Sequence, residues 1–350
     1  MTDAVLAIHG GAGAMARADA SAEMREAYEN ALARILQDAG RVLEQGGSAL
    51  DAVTEAVRLL EECPLFNAGH GAVFTSAGTH ELDASIMDGR TLQAGAVANL
   101  RTVRNPVLAA RAVMERSQHV MFVAEGAEAF AREQGLECVD PSFFSTPLRR
   151  EQLERVQQAD ARQTTLDHDA VSTGAVPLSF SHATQGAAPL DEDRKLGTVG
   201  AVARDRHGNL AAATSTGGMT NKQPGRVGDA PIIGAGCYAE NGTCAISTTG
   251  SGEMFIRMVV AHDIAARMRY AGASLDEAAH HVVHEQLPRI DGRGGLVAVD
   301  AHGNVSMPFN TEGMYRASFA QDSPRSSPFT GSSAKGVRGA KARLFSAEER

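Results

Sequence analysis

Apolar and polar positions along the chain follow two different periods, and the change from one to the other predicts alternating strands and helices. Apolar runs bounded by glycine predict strands, whereas apolar residues three and four positions apart predict helices. Ser48 and Asp51 have the spacing of a helix-capping box, which marks the start of one helix. The expected elements are, in chain order, a strand at 4–8 with a turn at 10–13, helices at 21–45 and 48–62, strands and turns at 72–100, helices at 106–115 and 126–134, a hairpin at 202–210, helices at 252–270 and 274–286, and a hairpin at 297–305.

One segment, from about 158 to 197, breaks this pattern. It lacks a sustained period and is rich in Gln, Thr, Ser, Asp and Ala, which predicts a flexible linker. A linker of this length is unusual inside a compact domain unless it is disordered or processed. It ends at the Gly197–Thr198 bond, directly before an apolar run, so we expect a cleavage site there.

Composition narrows the class of protein. The 350 residues could form one large domain or two ordinary ones, and 43% apolar with 21% charged residues is typical of a soluble globular protein. A net charge of −9 argues against a nucleic-acid partner, because phosphate binding relies on clustered Lys and Arg. No apolar stretch near the start reaches signal-peptide or membrane-span length, and the four cysteines are scattered. We therefore expect a cytoplasmic protein with reduced thiols and no membrane contact.

Thr198 is the candidate nucleophile. A threonine in mid-chain is a poor nucleophile, because no neighbouring group need take its proton. At a chain N-terminus its own α-amine can act as the base, so a single residue supplies nucleophile and base. Gly-Thr-Val-Gly alone is equally well explained as a loop that enters a strand, and the neighbouring motifs decide between the two interpretations.

Those motifs carry a resemblance over nearly the whole chain. They are His9–Gly13, Phe66–Gly71, Glu81–Gly89, Thr214–Lys222, Pro224–Asp229, Ile233–Ala239 and Ser247–Glu253. In this order they resemble the plant-type (type III) L-asparaginases/isoaspartyl peptidases of the N-terminal-nucleophile (Ntn) hydrolase superfamily. The resemblance implies one α+β domain over 1–350 with a four-layer αββα sandwich of the Ntn type. It also implies self-cleavage into an α fragment, 1–197, and a β fragment, 198–350, assembled as a dimer of αβ heterodimers.

The resemblance assigns roles around the cleaved bond. Gly197 and Thr198 form the cleavage site, and Thr216 orients the Thr198 hydroxyl; without the resemblance, a threonine that satisfies a turn is the simpler interpretation of Thr216. Arg226 and Asp229 clamp the head of the substrate, since a free amino-acid head carries a carboxylate and an ammonium. Arginine can grip a carboxylate with two parallel hydrogen bonds. A surface salt bridge is the alternative for this pair.

A second set of residues is expected to contact the scissile amide. Thr249 and Gly250 supply the oxyanion hole, because preorganised donors stabilise the negative charge that develops on the amide oxygen. Gly250, Ser251 and Gly252 contact the substrate through a close backbone approach. Alone, such a glycine turn could equally bind phosphate. Asn67 is a further candidate for orienting the site, and a plain turn asparagine is nearly as good an interpretation.

The resemblance also implies a structural sodium ion and no cofactor for catalysis. Hard cations prefer oxygen ligands, and backbone carbonyls can supply them without a special side chain. The expected carbonyls are those of Leu60, Glu61, Cys63, Phe66, Ala68 and His70.

The sequence thus predicts a hydrolase that releases aspartate from L-asparagine or from β-aspartyl dipeptides, with small molecules as its partners. A glycosylasparaginase-like amidase is the nearest alternative, and the chain lacks the tryptophan that binds sugar in that family. An uncleaved, noncatalytic ligand-binding homologue is an alternative of another class. Which group leaves is not determined by the clamp residues, which contact only the aspartyl head.

Overall fold

The computed structural model describes residues 4–13, 22–170, 197–321 and 340–345. The strands are β1 Val5–Gly13, β2 Leu82–Asp88, β3 Ala94–Leu100, β4 Met121–Val123, β5 Val199–Arg204, β6 Leu210–Thr216, β7 Cys237–Ala239, β8 Cys244–Gly250, β9 Gly294–Asp300, β10 Val305–Ser306, β11 Gly313–Gln321 and β12 Ala340–Phe345. The α-helices are α1 Ala22–Glu44, α2 Ala49–Glu61, α3 Pro106–Arg116, α4 Ala124–Glu133, α5 Pro147–Ala170, α6 Gly252–Met258, α7 Val260–Ala271 and α8 Leu275–His281. A π-helical turn, Val282–Gln286, continues α8.

Within these residues the strands form two sheets. The large sheet has eight strands in the order β12-β11-β1-β5-β6-β2-β3-β4, and the small sheet has four in the order β10-β9-β8-β7. Neighbouring strands are antiparallel except β3 and β4. Because β5 lies between β1 and β6, the chain that follows Gly197 enters the middle of the large sheet.

Three clusters of buried apolar side chains separate the sheets and helices into layers. The first, which includes Val57 of α2, lies between helices and one face of the large sheet. The second lies between the two sheets, with Val202 of β5 and Val297 of β9. The third lies between the small sheet and its helices, with Ile246 of β8 and Ile264 of α7. The result is an α+β fold in which two sheets face each other and each carries helices on its outer face.

Most predicted elements are confirmed. The Ser48 side chain accepts a hydrogen bond from the Asp51 N–H (3.1 Å) and begins α2 where the capping pattern predicts it. The predicted hairpins form as β5–β6 and β9–β10. All four cysteines are free. In the described part of the chain, no helix is both long and apolar enough to cross a membrane.

Three boundaries differ from the prediction. The predicted turn at 10–13 is wrong, because these residues continue β1 past a bulge between His9 and Gly11. The predicted helix at 252–270 is two helices, since Val259 between them has a left-handed φ of 49°. The predicted linker begins too early, because α5 extends to Ala170. Its polar sequence has no apolar period there that would indicate a helix; the rest of the predicted linker up to 196 lies outside the described residues.

The two sheets approach each other closely at Gly200 in β5. A Cβ atom on Gly200 would overlap the Oγ of Ser247 in β8 and would lie 2.5 Å from the Nε2 of His9. No larger residue fits unless the sheets move apart.

We predict that Gly200→Ala lowers the free energy of unfolding by about 1–3 kcal/mol, because the added methyl group overpacks the space between the sheets. Urea denaturation measures this loss. Gly126→Ala is the matched control, since nothing lies within 4 Å of a Cβ there, and in α4 alanine is the better helix former. Unchanged stability of Gly200→Ala would contradict the close approach.

Candidate active site

Thr198 is buried directly before β5, and both ends of the residue are held. Its side chain is 6% exposed, and its Oγ donates a hydrogen bond to the Oγ of Thr216 at 3.1 Å. Its carbonyl oxygen lies 3.0 Å from the Nδ1 of His9 in β1. The hydroxyl and the main chain of Thr198 are therefore fixed by two different strands of the large sheet.

Asn67 joins the Gly197–Thr198 bond to the turn that follows Thr216. The Gly218 N–H donates to Thr216 Oγ (3.0 Å), and the Asn67 Nδ2 donates to the Gly218 carbonyl (2.7 Å). A Cβ atom on Gly197 would lie 2.9 Å from the Cβ of Asn67. The structure thus brings four predicted residues, Asn67, Gly197, Thr198 and Thr216, into one cluster, and Asn67 does more than satisfy its own turn.

His9 connects this cluster to the small sheet. Its Nε2 lies 2.9 Å from Ser247 Oγ, which lies 2.6 Å from Thr214 Oγ. Full burial lowers the pKa of His9 to about 3, so the imidazole is neutral. A neutral ring that donates from Nδ1 to the Thr198 carbonyl accepts at Nε2 from the Ser247 hydroxyl. Neither His9 nor Ser247 was predicted to take part in the site, although both lie in the motifs His9–Gly13 and Ser247–Glu253.

The predicted clamp residues converge at Gly252, but Arg226 has a further partner. A Cβ on Gly252 would lie 2.9 Å from both Arg226 Nη2 and Asp229 Oδ1. Asp229 is buried, and its Oδ2 accepts from Thr248 Oγ at 2.7 Å. The Nε and Nη2 of Arg226 donate to the two carboxylate oxygens of Glu253, each at 2.9 Å. The Arg226 guanidinium therefore already binds a carboxylate of this chain, that of Glu253.

The two carboxylates near Arg226 have opposite pKa shifts. Burial raises the pKa of Asp229 to about 6, although the Thr248 hydroxyl and the charge of Arg226 oppose the shift. The hydrogen bonds from Arg226 lower the pKa of Glu253, which is half exposed. At neutral pH both are ionised, and Asp229 takes up a proton as the pH falls through about 6.

The predicted oxyanion residues lie at the end of β8. Thr249 is fully buried, and its Oγ accepts from the Ala12 N–H at 3.2 Å, which leaves the hydroxyl proton able to point elsewhere. A Cβ on Gly250 would collide with the Arg293 carbonyl, so only glycine fits there. The Ser251 N–H donates to the Arg293 carbonyl (2.8 Å), and the Ser251 Oγ accepts from the Arg293 N–H (3.3 Å). Strand β1 links the two parts of the site, since it contacts Thr198 through His9 and Thr249 through Ala12.

In the loop 60–71, which is expected to bind sodium, backbone carbonyl oxygens lie close to Gly69 and Gly71. Gly69 and Gly71 have left-handed φ values of 49° and 106°, and a Cβ on Gly71 would lie 2.5 Å from the Pro64 carbonyl oxygen and 2.8 Å from that of Phe66. The buried Arg149 guanidinium donates to the Gly71 carbonyl (2.7 Å). The donor set is backbone oxygen, which suits a hard cation.

The chain is similar to known proteins along most of its length. The model of the asparaginase family matches residues 2–326. The chain belongs to the asparaginase family. It is 59% identical to the isoaspartyl peptidase of Salmonella typhimurium over 93% of this chain and 98% of that protein.

More distant relatives cover the same extent. A putative isoaspartyl peptidase/L-asparaginase of Dictyostelium discoideum is 52% identical over 89% of this chain and 92% of its own length. A probable isoaspartyl peptidase/L-asparaginase 2 of Arabidopsis thaliana is 39% identical over 91% of this chain and 96% of its own length. The plant-type resemblance expected from the motifs is thus confirmed at the level of the family.

Two further residues of the site, Thr248 and Glu253, were not predicted from the sequence. Thr248 and Glu253 lie inside the quoted motif Ser247–Glu253, yet their partners Asp229 and Arg226 are about twenty or more positions away. Only the fold brings these pairs together. A signal was present in one case, because a mostly buried arginine needs a counter-charge.

We predict that Thr248→Val raises the titration midpoint of Asp229 above about 6, because the lost hydrogen bond stabilises the charged carboxylate. Carbon-13 NMR of labelled aspartate measures the midpoint, with Asp229→Asn used for assignment. Thr54→Val is the control, since it removes a buried hydroxyl that donates to Leu50, accepts from Arg111 and does not contact Asp229. A Thr248→Val midpoint equal to the wild-type value would show that the hydrogen bond does not act on Asp229.

Proposed function

We propose that this protein is an isoaspartyl peptidase with L-asparaginase activity, which hydrolyses β-aspartyl dipeptides and asparagine to release aspartate. The observation that carries the proposal is the buried hydrogen bond from Thr198 Oγ to Thr216 Oγ, directly after Gly197. The names of the relatives support the same substrates. A cytoplasmic location belongs to the proposal and fits the free cysteines.

The first step in the proposal is self-cleavage. Thr198 Oγ attacks the Gly197 carbonyl, the C–N bond breaks, and the hydroxyl proton passes to the released amine. Water then hydrolyses the resulting ester, which regenerates the Thr198 hydroxyl and leaves Gly197 with a free carboxylate. The close contact of Gly197 with Asn67 supports this step, since a side chain at 197 would obstruct the bond. This is the chemistry of an Ntn hydrolase, and the succession of helix, sheet, sheet and helix layers supports that fold type.

Turnover uses the same oxygen. The α-amine accepts the proton of Thr198 Oγ, directly or through a water, and the oxygen attacks the side-chain carbonyl of the substrate. The amide C–N bond then breaks as the leaving amine takes up that proton, and water hydrolyses the aspartyl ester on Thr198 to release aspartate. Thr249 Oγ and the Gly250 N–H stabilise the oxyanion, while Arg226 binds the α-carboxylate and Asp229 the α-ammonium. Arg226 is paired with Glu253 in the structure. Binding of the substrate α-carboxylate would therefore replace the Glu253 carboxylate as the partner of Arg226. Gly252 admits both groups because it has no side chain, and Ser251 supports the turn.

Two structural features complete the proposal. The carbonyls of Leu60, Glu61, Cys63, Phe66, Ala68 and His70 would hold a sodium ion, which would stiffen the loop beside Asn67 and take no part in the reaction. The processed protein is proposed to assemble as a dimer of αβ heterodimers. The crowded carbonyls at Gly69 and Gly71 support the first point.

We predict that the purified protein contains a chain beginning Thr-Val-Gly-Ala, and that Thr198→Ala abolishes both cleavage and hydrolysis, because neither step then has an attacking oxygen. Thr198→Ser should retain part of both, since it keeps the hydroxyl. Intact-mass spectrometry, N-terminal sequencing and an aspartate-release assay provide the measurements. A protein that hydrolyses β-aspartyl peptides while it remains one chain would contradict the proposal, and an uncleaved protein that only binds them would support the noncatalytic alternative.

We predict opposite effects for the two members of the Arg226–Glu253 pair. Arg226→Ala should lower kcat/KM roughly a hundredfold, because a charge-assisted contact worth a few kcal/mol is lost. Arg226→Lys should also lose activity, since an ammonium cannot form the fork. Glu253→Gln should lower KM, because a competing carboxylate is removed. Steady-state kinetics on fully processed enzyme test this, with Arg267→Ala on α7 as the control; wild-type kinetics of Arg226→Ala would refute the clamp.

A further inference from the structure

Two buried charged residues beside Thr216 have no part in the reaction described so far. Asp83 of β2 is fully buried and Lys222 is 5% exposed. Removing charges from water is costly unless other groups compensate. Their position next to the threonine that contacts Thr198 suggests what they do there.

Asp83 lies directly opposite Thr216. The two residues are register partners in the antiparallel pair of β2 and β6, so their side chains emerge on the same face of the sheet. Asp83 Oδ1 accepts from the Asn99 N–H at 2.8 Å. Its Oδ2 has no hydrogen-bond partner among the described residues. A buried carboxyl group is therefore held one strand away from Thr216.

Lys222 packs against the turn that orients Thr216. Its Nζ donates to the Glu81 carbonyl at 2.8 Å. A Cβ on Gly218 would lie 2.7 Å from the Cδ and 2.8 Å from the Nζ of Lys222. The Gly218 N–H in turn donates to Thr216 Oγ. The Lys222 ammonium is thus connected to Thr198 Oγ by a packing contact with Gly218 and by two hydrogen bonds, both of which end at Thr216 Oγ.

The two charges stabilise each other inside the protein. Burial raises the pKa of Asp83, and Lys222 is the largest opposing influence. Burial lowers the pKa of Lys222, and Asp83 is the largest opposing influence. Glu81 and Arg226 are the other charges that act on both residues. His9, on the opposite side of Thr198, is neutral and adds no charge.

We propose that Lys222 and Asp83 are positioning residues for Thr198: Lys222 supports the turn of Thr216 and places a fixed positive charge near the N-terminal amine, and Asp83 balances that charge. A nearby positive charge favours the neutral form of an amine, which is the form that can act as a base. Asp83 limits the effect and keeps Lys222 in place. This inference rests on the proposed function, because it needs Thr198 to be N-terminal.

The test is the acid limb of the pH profile of kcat, measured at saturating β-aspartyl dipeptide on processed enzyme. Under these conditions the profile reports groups in the substrate complex. Lys222→Met should move the limb to higher pH by about 0.5–1 unit, because the amine holds its proton more strongly without the lysine charge. Asp83→Asn should move it to lower pH, and the double variant should return towards the wild-type position. KM should change less than twofold, since the clamp is intact.

Two controls separate charge from packing. Lys222→Arg keeps the charge, so its limb should stay within about 0.2 unit of wild type even if kcat falls. Arg267→Met on α7 removes a positive charge far from the site and should leave the limb unchanged. If Lys222→Met is not processed, a limb at lower pH in Asp83→Asn together with an unshifted limb in Lys222→Arg decides the question.

The outcomes distinguish the two proposals. Equal acid limbs in wild type, Lys222→Met and Asp83→Asn, with only kcat reduced, would overturn this inference and leave the proposed function standing. A wild-type protein without a Thr198 N-terminus would overturn the proposed function instead. Shifts of opposite sign in the two single variants, with cancellation in the double variant, would establish the charge pair.

Discussion

The close approach of the two sheets at Gly200 determines where the groups of the site can lie. Because Gly200 has no side chain, Ser247 of the small sheet reaches His9 of the large sheet, and His9 holds the Thr198 main chain. Along β8, successive side chains point to opposite faces of the small sheet, as in any β-strand. Ser247 and Thr249 face β1, whereas Thr248 faces away and contacts Asp229. One short strand therefore contacts the residues proposed as nucleophile, oxyanion donor and substrate clamp.

The electrostatics of the site follow from burial. Asp229 is held in a low-dielectric environment with a single strong donor, so its charge is only moderately stable and benefits from an ammonium ligand. Arg226 lies nearer the surface, where Glu253 neutralises it. In the proposed function these two charges are complementary to a zwitterionic substrate, because Arg226 can bind a carboxylate and Asp229 an ammonium.

Local patterns in the sequence were sufficient to predict most elements, and they failed where a tertiary contact overrides them. The glycines at 10–13 suggest a turn, but β11 pairs with them and extends β1. Val259 has a left-handed conformation that a β-branched residue rarely adopts, so no propensity indicates the break between α6 and α7. The second half of α5 has no apolar period.

The same limit applies to the site. Thr198, Thr216, Arg226 and Asp229 are recognisable because they belong to motifs, and the structure brings Thr198 to Thr216 and Arg226 to Asp229. Their supporting partners are remote in sequence: Thr216 lies opposite Asp83, and Thr198 contacts His9. Pairings of this kind depend on sheet register, which a single sequence does not specify.

The strand order of the large sheet has a consequence for a chain cut before Thr198. Read across the sheet, β12 and β11 come from the segment after the cut, β1 from before it, β5 and β6 from after it, and β2, β3 and β4 from before it. The two polypeptides would be interleaved, so separating them would mean breaking three hydrogen-bonded ladders at once. Such a molecule has four chain ends but behaves as one folded unit. Neither fragment contains all the strands of the large sheet, so neither can form that sheet alone. The stability of the cleaved protein would then be kinetic. Once it unfolds, its strands no longer have the covalent connection that first brought them together.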